Sequence, residues 1–158
     1  MSDGDKHWLK GCTCFRLRRT TRRMTQIYDA ALAAVDLTLT QYSLLSALVR
    51  QPTPPTMQEL ADLMGMERTS LSRTLKPMIE RGFLRIEIGA DRRSKQIIVT
   101  DTGQAQREAA RPVWRAAQDQ IQERLGKTRT ADLHKLLDQC FERLDQEQST
   151  PNGGIHPT

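Results

Sequence analysis

The sequence is poor in aromatic residues, cysteine and histidine. Of its 158 residues only 4% are aromatic, and cysteine and histidine occur three times each. Three cysteines are too few, and odd in number, for the disulfide framework of a secreted domain. In a reducing cytosol they would be free thiols. The histidines have no neighbours at metal-ligand spacing, and a Cys-x-Cys pair is not a tetrahedral set, so we expect no metal site.

Long apolar runs are also missing. No run approaches the roughly 20 residues that a membrane span needs. The N-terminus is polar and acidic, with no apolar signal segment behind it. These features predict a cytoplasmic protein that does not interact with a membrane.

Recognisable catalytic motifs are absent as well. The sequence contains no phosphate-binding loop, no nucleophile elbow and no zinc-protease helix. A thiol oxidoreductase that uses Cys12 and Cys14 is the enzyme alternative. We expect instead a protein without catalytic residues and without a cofactor.

Positive charge is in modest excess and is concentrated in one segment. The chain has 24 Lys and Arg against 19 Asp and Glu, a net charge of +5. Between Glu67 and Lys95 there are eight basic and four acidic residues, so this segment alone contributes +4. The basic residues are Arg68, Arg73, Lys76, Arg81, Arg85, Arg92, Arg93 and Lys95. Such a concentration indicates a polyanionic partner.

Apolar residues at helical spacing predict two helices before this segment. The first runs from about Cys14 to Val35, with arginines opposite its apolar stripe. The second begins at Thr38 or Thr40, either of which can act as N-cap. Residues 51–55 contain three prolines, which cannot continue a helix.

Two short helices are predicted after the prolines. Thr56-x-x-Glu59 is a capping box that opens the first of them. Gly65 suits the left-handed position that ends it. The second spans residues 67–81 and contains Pro77. The inward-facing residues of the first short helix are predicted to be Leu60, Leu63 and Met64.

Alternating residues then predict a β-hairpin, with strands at 83–88 and 95–99 joined by a long loop. A long helix over residues 101–125 follows, with Gly126 at its end. The last helix carries an apolar stripe at nearly ideal spacing, formed by Leu133, Leu136, Leu137, Cys140, Phe141 and Leu144. The fold class is therefore mainly α with a small β-hairpin wing: a winged helix-turn-helix plus dimerisation helices.

The two short helices and the basic hairpin match a winged helix-turn-helix that binds duplex DNA. Polar residues of the second helix lie opposite its leucine face, and recognition helices usually touch base edges near their N-terminus. The expected contacts from the helix are Arg68, Thr69, Ser72, Arg73 and Lys76, and those from the hairpin include Arg92, Arg93 and Lys95. A nonspecific architectural DNA binder is the alternative.

These residues resemble the MarR (multiple antibiotic resistance regulator) family over roughly residues 14–144. The runs that carry the resemblance are Leu60-Ala61-x-x-Met64-Gly65, Ser70-Leu71-Ser72-Arg73-x-Leu75-Lys76-Pro77-Met78-x-x-Arg81-Gly82-Phe83-Leu84, Asp91-Arg92-Arg93-Ser94 and Val99-Thr100-Asp101-Thr102-Gly103. The same Leu-Lys-Pro pattern is common in that family's recognition helix, which accounts for Pro77. Met66-Glu67 departs from the pattern, because a better capping residue is usual there.

The resemblance implies a homodimeric repressor that binds a near-palindromic operator with two recognition helices about one DNA turn apart. It also implies that Ser70 and the other polar residues of the recognition helix read the major groove. Arg93 of the wing would enter the minor groove, with Asp91 holding it and Ser94 beside it.

The last two helices favour a dimer without the resemblance. Their apolar stripes have too little partner surface within one small winged domain, so burial against a second chain is economical. The alternative is that they fold back onto their own domain. We accordingly divide the chain into a flexible segment (1–11), a helical dimerisation region (12–36 and 101–146), a winged helix-turn-helix (37–100) and a disordered tail (147–158).

A small-molecule effector is the input that the resemblance implies, often a phenolic compound bound between the dimer helices and the winged domain. The candidate pocket residues are Arg18, Tyr28, Tyr42 and Trp114.

Oxidant sensing is the alternative input. Cys14-Phe15-x-Leu17, Arg22-x-Met24-Thr25-x-x-Tyr28 and Gln41-Tyr42 resemble the organic-hydroperoxide-sensing branch. There Cys14 falls at the reactive cysteine and Tyr28 at one of the tyrosines that hydrogen-bond it, whereas Arg18 and Leu39 stand where that branch has two other tyrosines. Neighbouring arginines would favour a thiolate, and in this alternative Cys12 or Cys14 pairs with Cys140 of the partner subunit. The simpler reading is that Cys14 and Cys140 are small buried hydrophobes.

Overall fold

The computed structural model describes residues 11–89 and 94–148, with side chains described up to Leu144. Helices dominate these ranges, and a single antiparallel hairpin interrupts them. The elements in chain order are α1 (Thr13–Leu32), a short 3-10 helix (Ala33–Val35), α2 (Leu39–Val49), α3 (Met57–Met64), α4 (Arg68–Glu80), β1 (Leu84–Ile88), β2 (Lys95–Val99), α5 (Asp101–Leu125) and α6 (Lys127–Gln148). This is the mainly α, winged-helix architecture that the sequence predicts.

Threonine side chains begin two of the helices, as predicted. The Thr38 hydroxyl accepts from the Gln41 amide, and the Gln41 side chain accepts from the Thr38 amide in return. Thr56 and Glu59 form the same reciprocal pair at the start of α3. The pKa of the Glu59 carboxyl is lowered mainly by its hydrogen bond with the Thr56 backbone amide and, to a smaller extent, by one with the Thr56 side chain. Each pair satisfies amides that the first helical turn leaves without a partner.

The apolar helix α2 provides the centre of the core. Leu44 and Leu45 are fully buried, and α2 packs against α1, α4 and β2. Other large residues that are buried in the core are Leu32, Leu60, Leu71, Leu75, Met78, Leu84 and Ile97. Among the described helices no single one is long and apolar enough to cross a membrane. One pair, α1 with its 3-10 extension and α2, passes that test together by length and composition, with a 77° bend between them.

The prediction that Leu63 faces inward is wrong. Leu63 is 53% exposed, while Leu60 and Ala61 are buried. Because each helical residue turns by about 100°, Leu63 lies about 200° around α3 from Ala61. The inner face of α3 therefore runs through Leu60 and Ala61 and turns Leu63 toward the outside.

The hairpin is fixed to the helix-turn-helix at its base. Strand β1 pairs antiparallel with β2 from Leu84 opposite Val99 to Ile88 opposite Lys95. The segment just before α3 adds to the other edge of β2, because the Ile97 amide donates to the Pro55 carbonyl at 2.9 Å and Thr56 forms a bridge with Gln96. The wing and the start of α3 are therefore joined by backbone hydrogen bonds.

The start of α5 makes a tight junction with the residues that follow α4. The Thr100 hydroxyl donates to the Gly82 carbonyl at 2.6 Å, and its backbone amide donates to the Phe83 carbonyl at 3.0 Å. The same hydroxyl accepts from the Gly103 amide at 3.1 Å, so Thr100 also caps α5. A Cβ atom on Gly103 would lie 2.1 Å from the Phe83 carbonyl oxygen. Only glycine fits there without moving backbone.

The chain divides into two compact units, Met1–Gln118 and Asp119–Thr158. The second unit contains the end of α5 and all of α6, with Gly126 in a left-handed conformation (φ 86°) between them. Much of the predicted apolar stripe on α6 is exposed in this chain: Leu136, Leu137, Phe141 and Leu144 are 58, 38, 62 and 67% exposed, respectively. An exposed apolar stripe of this kind is typical of an interaction surface.

We predict that Gly103→Ala destabilises the first unit by about 1–3 kcal/mol, because the added methyl group meets backbone atoms of Phe83 and overpacks the junction. Thermal unfolding followed by circular dichroism measures the effect. Gly11→Ala is the matched control, since a Cβ there meets nothing within 4 Å, and its midpoint should equal that of wild type. Equal midpoints for the Gly103 variant and wild type would contradict the junction.

Candidate nucleic-acid interface

A short glycine turn sets α3 and α4 against each other. Gly65 adopts the left-handed conformation (φ 59°) predicted for it. Its amide donates to the Asp62 carbonyl at 3.1 Å, and the Met66 amide donates to the Ala61 carbonyl at 2.9 Å. These bonds end α3. Helix α4 begins only a few residues later, at Arg68. Glu67 is the N-cap of α4 and makes no capping hydrogen bond through its side chain.

Helix α4 presents one apolar and one polar face, as predicted. Leu71, Leu75 and Met78 are buried against the core, and the helix continues through Pro77. The six residues of α4 that the sequence predicts to contact DNA are all exposed: Arg68, Thr69, Ser70, Ser72, Arg73 and Lys76. Because the leucines fix the rotation of the helix, these polar side chains point away from the protein together.

The positive charge of this surface is mostly uncompensated. Lys76 lies 4.0 Å from Glu80, but both side chains are exposed, so the pair contributes only about 0–1 kcal/mol. Arg85 is paired with Glu87 at 2.6 Å on β1. Within the described ranges, Arg68, Arg73 and Lys95 form no salt bridge. Their charges remain available to an anionic partner.

A cleft of about 390 Å³ lies between the starts of α3 and α4 and the wing. Arg68 and Lys95 supply two cations to its walls, and Ile86 and Ile97 supply apolar surface. The remaining lining residues are Thr56, Met57, Gln58 and Ser94. Sequence reasoning missed Thr56, Met57 and Gln58. The capping box that marks the start of α3 was the available signal, because the amides of a helix N-terminus attract anions.

The described part of the hairpin includes two of the predicted wing contacts. Lys95 is exposed and Ser94 is half-buried. Asp91, Arg92 and Arg93, which the sequence also predicts to contact DNA, lie outside the described residues. Ser94 forms an interaction of its own within the chain.

Three of the predicted sensing residues form one aromatic cluster. The ring of Trp114 stacks on Tyr42 at a centroid distance of 5.6 Å and on Tyr28 at 6.3 Å. The Tyr28 hydroxyl donates to the side-chain oxygen of Gln118. Burial raises the pKa of the Tyr28 phenol. Both tyrosines are buried and Trp114 is half-exposed, so the cluster is packed by its own rings and has one accessible ring.

The other predicted sensing residues lie elsewhere. Arg18 is on the exposed first half of α1, about 15 Å along the helix axis from Tyr28. Cys12 is the N-cap of α1, where its sulfur accepts from the Phe15 amide at 3.4 Å. Cys14 and Cys140 are exposed free thiols, so burial as small hydrophobes is wrong for this chain alone. Among the described residues no three His, Cys, Asp or Glu side chains form a group that could hold a metal ion.

An arginine-lined groove of about 410 Å³ runs along α1. Its lining residues recur at helical spacing and are Phe15, Arg18, Arg19, Arg22, Arg23 and Gln26. Arg19 lies 5.9 Å from the centroid of the Phe15 ring, and Arg23 donates to Gln26. No carboxylate of the described chain forms a salt bridge with these four arginines. Like charges at this spacing repel, which favours an external acidic partner.

Comparison with known proteins relates these elements to a family. A model of the MarR family matches residues 35–94, which cover α2 to the start of the wing. The transcriptional regulator MosR of M. tuberculosis is 34% identical, with a TM-score of 0.73 over 85% of this chain and 98% of that chain. Its structure in complex with DNA is 36% identical, with a TM-score of 0.67 over 82% and 98% of the two chains.

A second similar protein is the transcriptional repressor CouR of Rhodococcus jostii RHA1. Bound to a 23-mer DNA duplex, CouR is 25% identical to this chain, with a TM-score of 0.76 over 85% of this chain and 95% of that one. CouR has also been solved with p-coumaroyl-CoA. That structure is 23% identical, with a TM-score of 0.69 over 82% of this chain and 91% of that one. The architecture of this chain is thus the same as that of proteins solved on DNA.

Proposed function

Because this chain belongs to the MarR family of DNA-binding transcriptional regulators, we propose that it is a homodimeric repressor that leaves a near-palindromic operator when a small aromatic effector binds. The observation that carries the proposal is the exposed polar face of α4, opposite its buried leucines. The wing is tied to the same helix-turn-helix by backbone hydrogen bonds. Both parts can therefore engage one duplex at once.

In this proposal α4 lies in the major groove. Arg68 and Arg73 carry planar guanidinium groups suited to guanine edges or phosphates, and Thr69, Ser70 and Ser72 donate to bases or phosphates. Arg93 of the wing contacts the minor groove with Asp91 holding it. The cleft between Arg68 and Lys95 would receive a backbone phosphate, and so fix the depth of α4 in the groove.

The dimer follows from surfaces that the single chain leaves exposed. Residues 13–23 of α1 are all exposed, and a helical stretch of this length is marginal in water without a partner. The α6 stripe around Phe141 is likewise exposed, and the other faces of the same helix carry the exposed carboxylates of Asp138 and Glu142. We propose that α1 and α6 of two chains cover one another, with the α1 arginines facing those carboxylates.

The effector is proposed from the aromatic cluster. The half-exposed ring of Trp114, backed by Tyr28 and Tyr42, offers a stacking surface for a planar ligand. CouR binds p-coumaroyl-CoA, an aromatic acyl thioester. We propose that a ligand of this kind binds best to a form of the dimer that no longer fits the operator.

A second candidate input is an organic hydroperoxide acting on Cys14. The favouring observation is that Cys14 is exposed in the first turn of α1 and lines a shallow groove with Arg18 and Arg22. A hydroperoxide would oxidise the thiolate to a sulfenic acid and be reduced to its alcohol. A second thiol would then form a disulfide and release water.

We predict that Arg93→Ala weakens binding to all DNA severalfold and lowers the slope of log affinity against log salt by about one, because one phosphate-neutralising charge is lost.

Arg73→Ala should weaken operator binding by about 5- to 150-fold and relax the preference for one base pair. Fluorescence anisotropy over a salt series measures both. Arg129→Ala, which removes an equal charge from α6, is the control. An unchanged salt slope for Arg93→Ala would reject the wing assignment.

We predict that Phe141→Asp converts a dimer into a folded monomer, because a carboxylate cannot be buried in the apolar contact. Operator affinity should fall by about 100-fold or more, since the second recognition helix is no longer tethered to the first. Sedimentation velocity measures the assembly state. Gln139→Asp, on the opposite side of α6, should remain a dimer. Wild type that sediments as a monomer would refute the proposal.

One assay, which measures release of the protein from labelled operator DNA, distinguishes the ligand from the oxidant as the signal. For the ligand input, p-coumaroyl-CoA should lower operator affinity by about 5- to 150-fold in wild type and in Cys14→Ser alike. For the oxidant input, cumene hydroperoxide should release wild type, whereas Cys14→Ser stays bound. Equal release of both proteins by the hydroperoxide would remove Cys14 from the mechanism. Retention of both proteins in p-coumaroyl-CoA would exclude this thioester.

A further inference from the structure

Arg81, which follows the recognition helix, is bound to the turn that follows α1. Its Nη1 donates to the Asp36 carbonyl at 2.8 Å, and its Nη2 donates to the Asp36 carboxylate at 2.9 Å. The guanidinium also lies 4.4 Å from the centroid of the buried Phe83 ring. The two residues are 45 positions apart in sequence, so the contact connects elements that are distant in the chain.

The backbone at Asp36 is shaped for this contact. Asp36 has φ 55° and is the one residue other than glycine with positive φ in the described ranges. Aspartate tolerates the left-handed region better than most residues, but the conformation persists only where surrounding contacts support it. The left-handed turn directs both the carbonyl and the carboxylate of Asp36 to one guanidinium.

The same turn is also held from α5. The Gln106 side chain donates to the Val35 carbonyl at 2.5 Å, and the Asp29 carboxylate accepts from the Leu39 amide at 2.7 Å. Helices α1, α2, α4 and α5 therefore all reach residues 35–39. Among the side chains that hold this turn, only Arg81 comes from the end of the recognition helix.

We propose that Arg81 is a positioning residue for DNA reading: with Asp36 it sets the orientation of α4 relative to α1. This inference rests on the proposed function, in which α1 carries the dimer contact and α4 reads the operator. A shift of α1 is passed to the recognition helix through the Asp36 turn. The rival role for a basic residue in this segment is direct contact with a DNA phosphate.

The chemistry of the pair separates these roles. Positioning needs the forked guanidinium, because lysine cannot make both bonds and stack on Phe83 together. A phosphate contact needs only the positive charge, which lysine keeps. If Arg81 positions α4, loss of the Asp36 carboxylate weakens operator binding. If Arg81 contacts a phosphate, the same loss leaves Arg81 free for that contact and does not weaken binding. The Asp36 side chain is 91% exposed, so the loss of its carboxylate should not lower the unfolding midpoint appreciably.

The experiment compares Arg81→Lys and Asp36→Asn with wild type in operator and random-sequence binding over a salt series. We expect operator affinity to fall about tenfold for Arg81→Lys and severalfold for Asp36→Asn. Affinity for random DNA and the salt slope should stay at wild-type values, and the double variant should be no weaker than Arg81→Lys. Arg111→Lys is the matched control and should bind as wild type, because Arg111 forms an exposed ion pair with Glu108 on α5 at 3.4 Å.

Several results would overturn the inference. Wild-type operator affinity in Arg81→Lys, or tighter binding by Asp36→Asn, would assign Arg81 to a phosphate. A lower unfolding midpoint with equal loss on both DNAs would make the pair merely structural. If wild type prefers the operator and both variants keep that preference, this inference alone is rejected. If wild type itself does not prefer the operator, the proposed function is rejected as well.

Discussion

The close approach of Gly103 to the Phe83 carbonyl is the constraint that the winged domain depends on. It allows the first turn of α5 to lie directly on the chain that leaves α4, where Thr100 bonds to Gly82 and Phe83. The recognition helix, the first wing strand and the long helix thus meet within a few residues. Any side chain at position 103 would separate them, and the polar face of α4 would lose its fixed relation to the wing.

Local physics explains what the sequence predicted well. Thr38, Thr56 and Gly65 act through hydrogen bonds within a few residues, and the hairpin follows from alternation in a short segment. Helix caps, turns and hairpins of this kind are determined by residues that are adjacent in the sequence. The exposed polar residues of α4 were likewise predictable, because the leucines at helical spacing determine which side of the helix is outside.

Contacts between distant segments were not predictable in the same way. Nothing near Asp36 indicates that its backbone is left-handed or that Arg81 binds it. Leu63 looked like a core residue because its spacing fits, but the buried face of α3 contains Ala61 instead. Arg18 and Tyr28 were grouped as one pocket from the resemblance, although about three helical turns of α1 separate them.

The bond between Ile97 and Pro55 has a consequence for how such a protein diversifies. It anchors the base of the hairpin to the helix-turn-helix and leaves residues 89–94 as a connection between strand ends that are already paired. Because the strand register and the recognition helix are held by contacts outside that connection, we expect insertions or charge changes there to leave both in place. In the proposed complex, affinity for the DNA backbone and the choice of bases can therefore change by separate mutations, so that a duplicated gene can acquire a new operator while the packing of its helix-turn-helix stays the same.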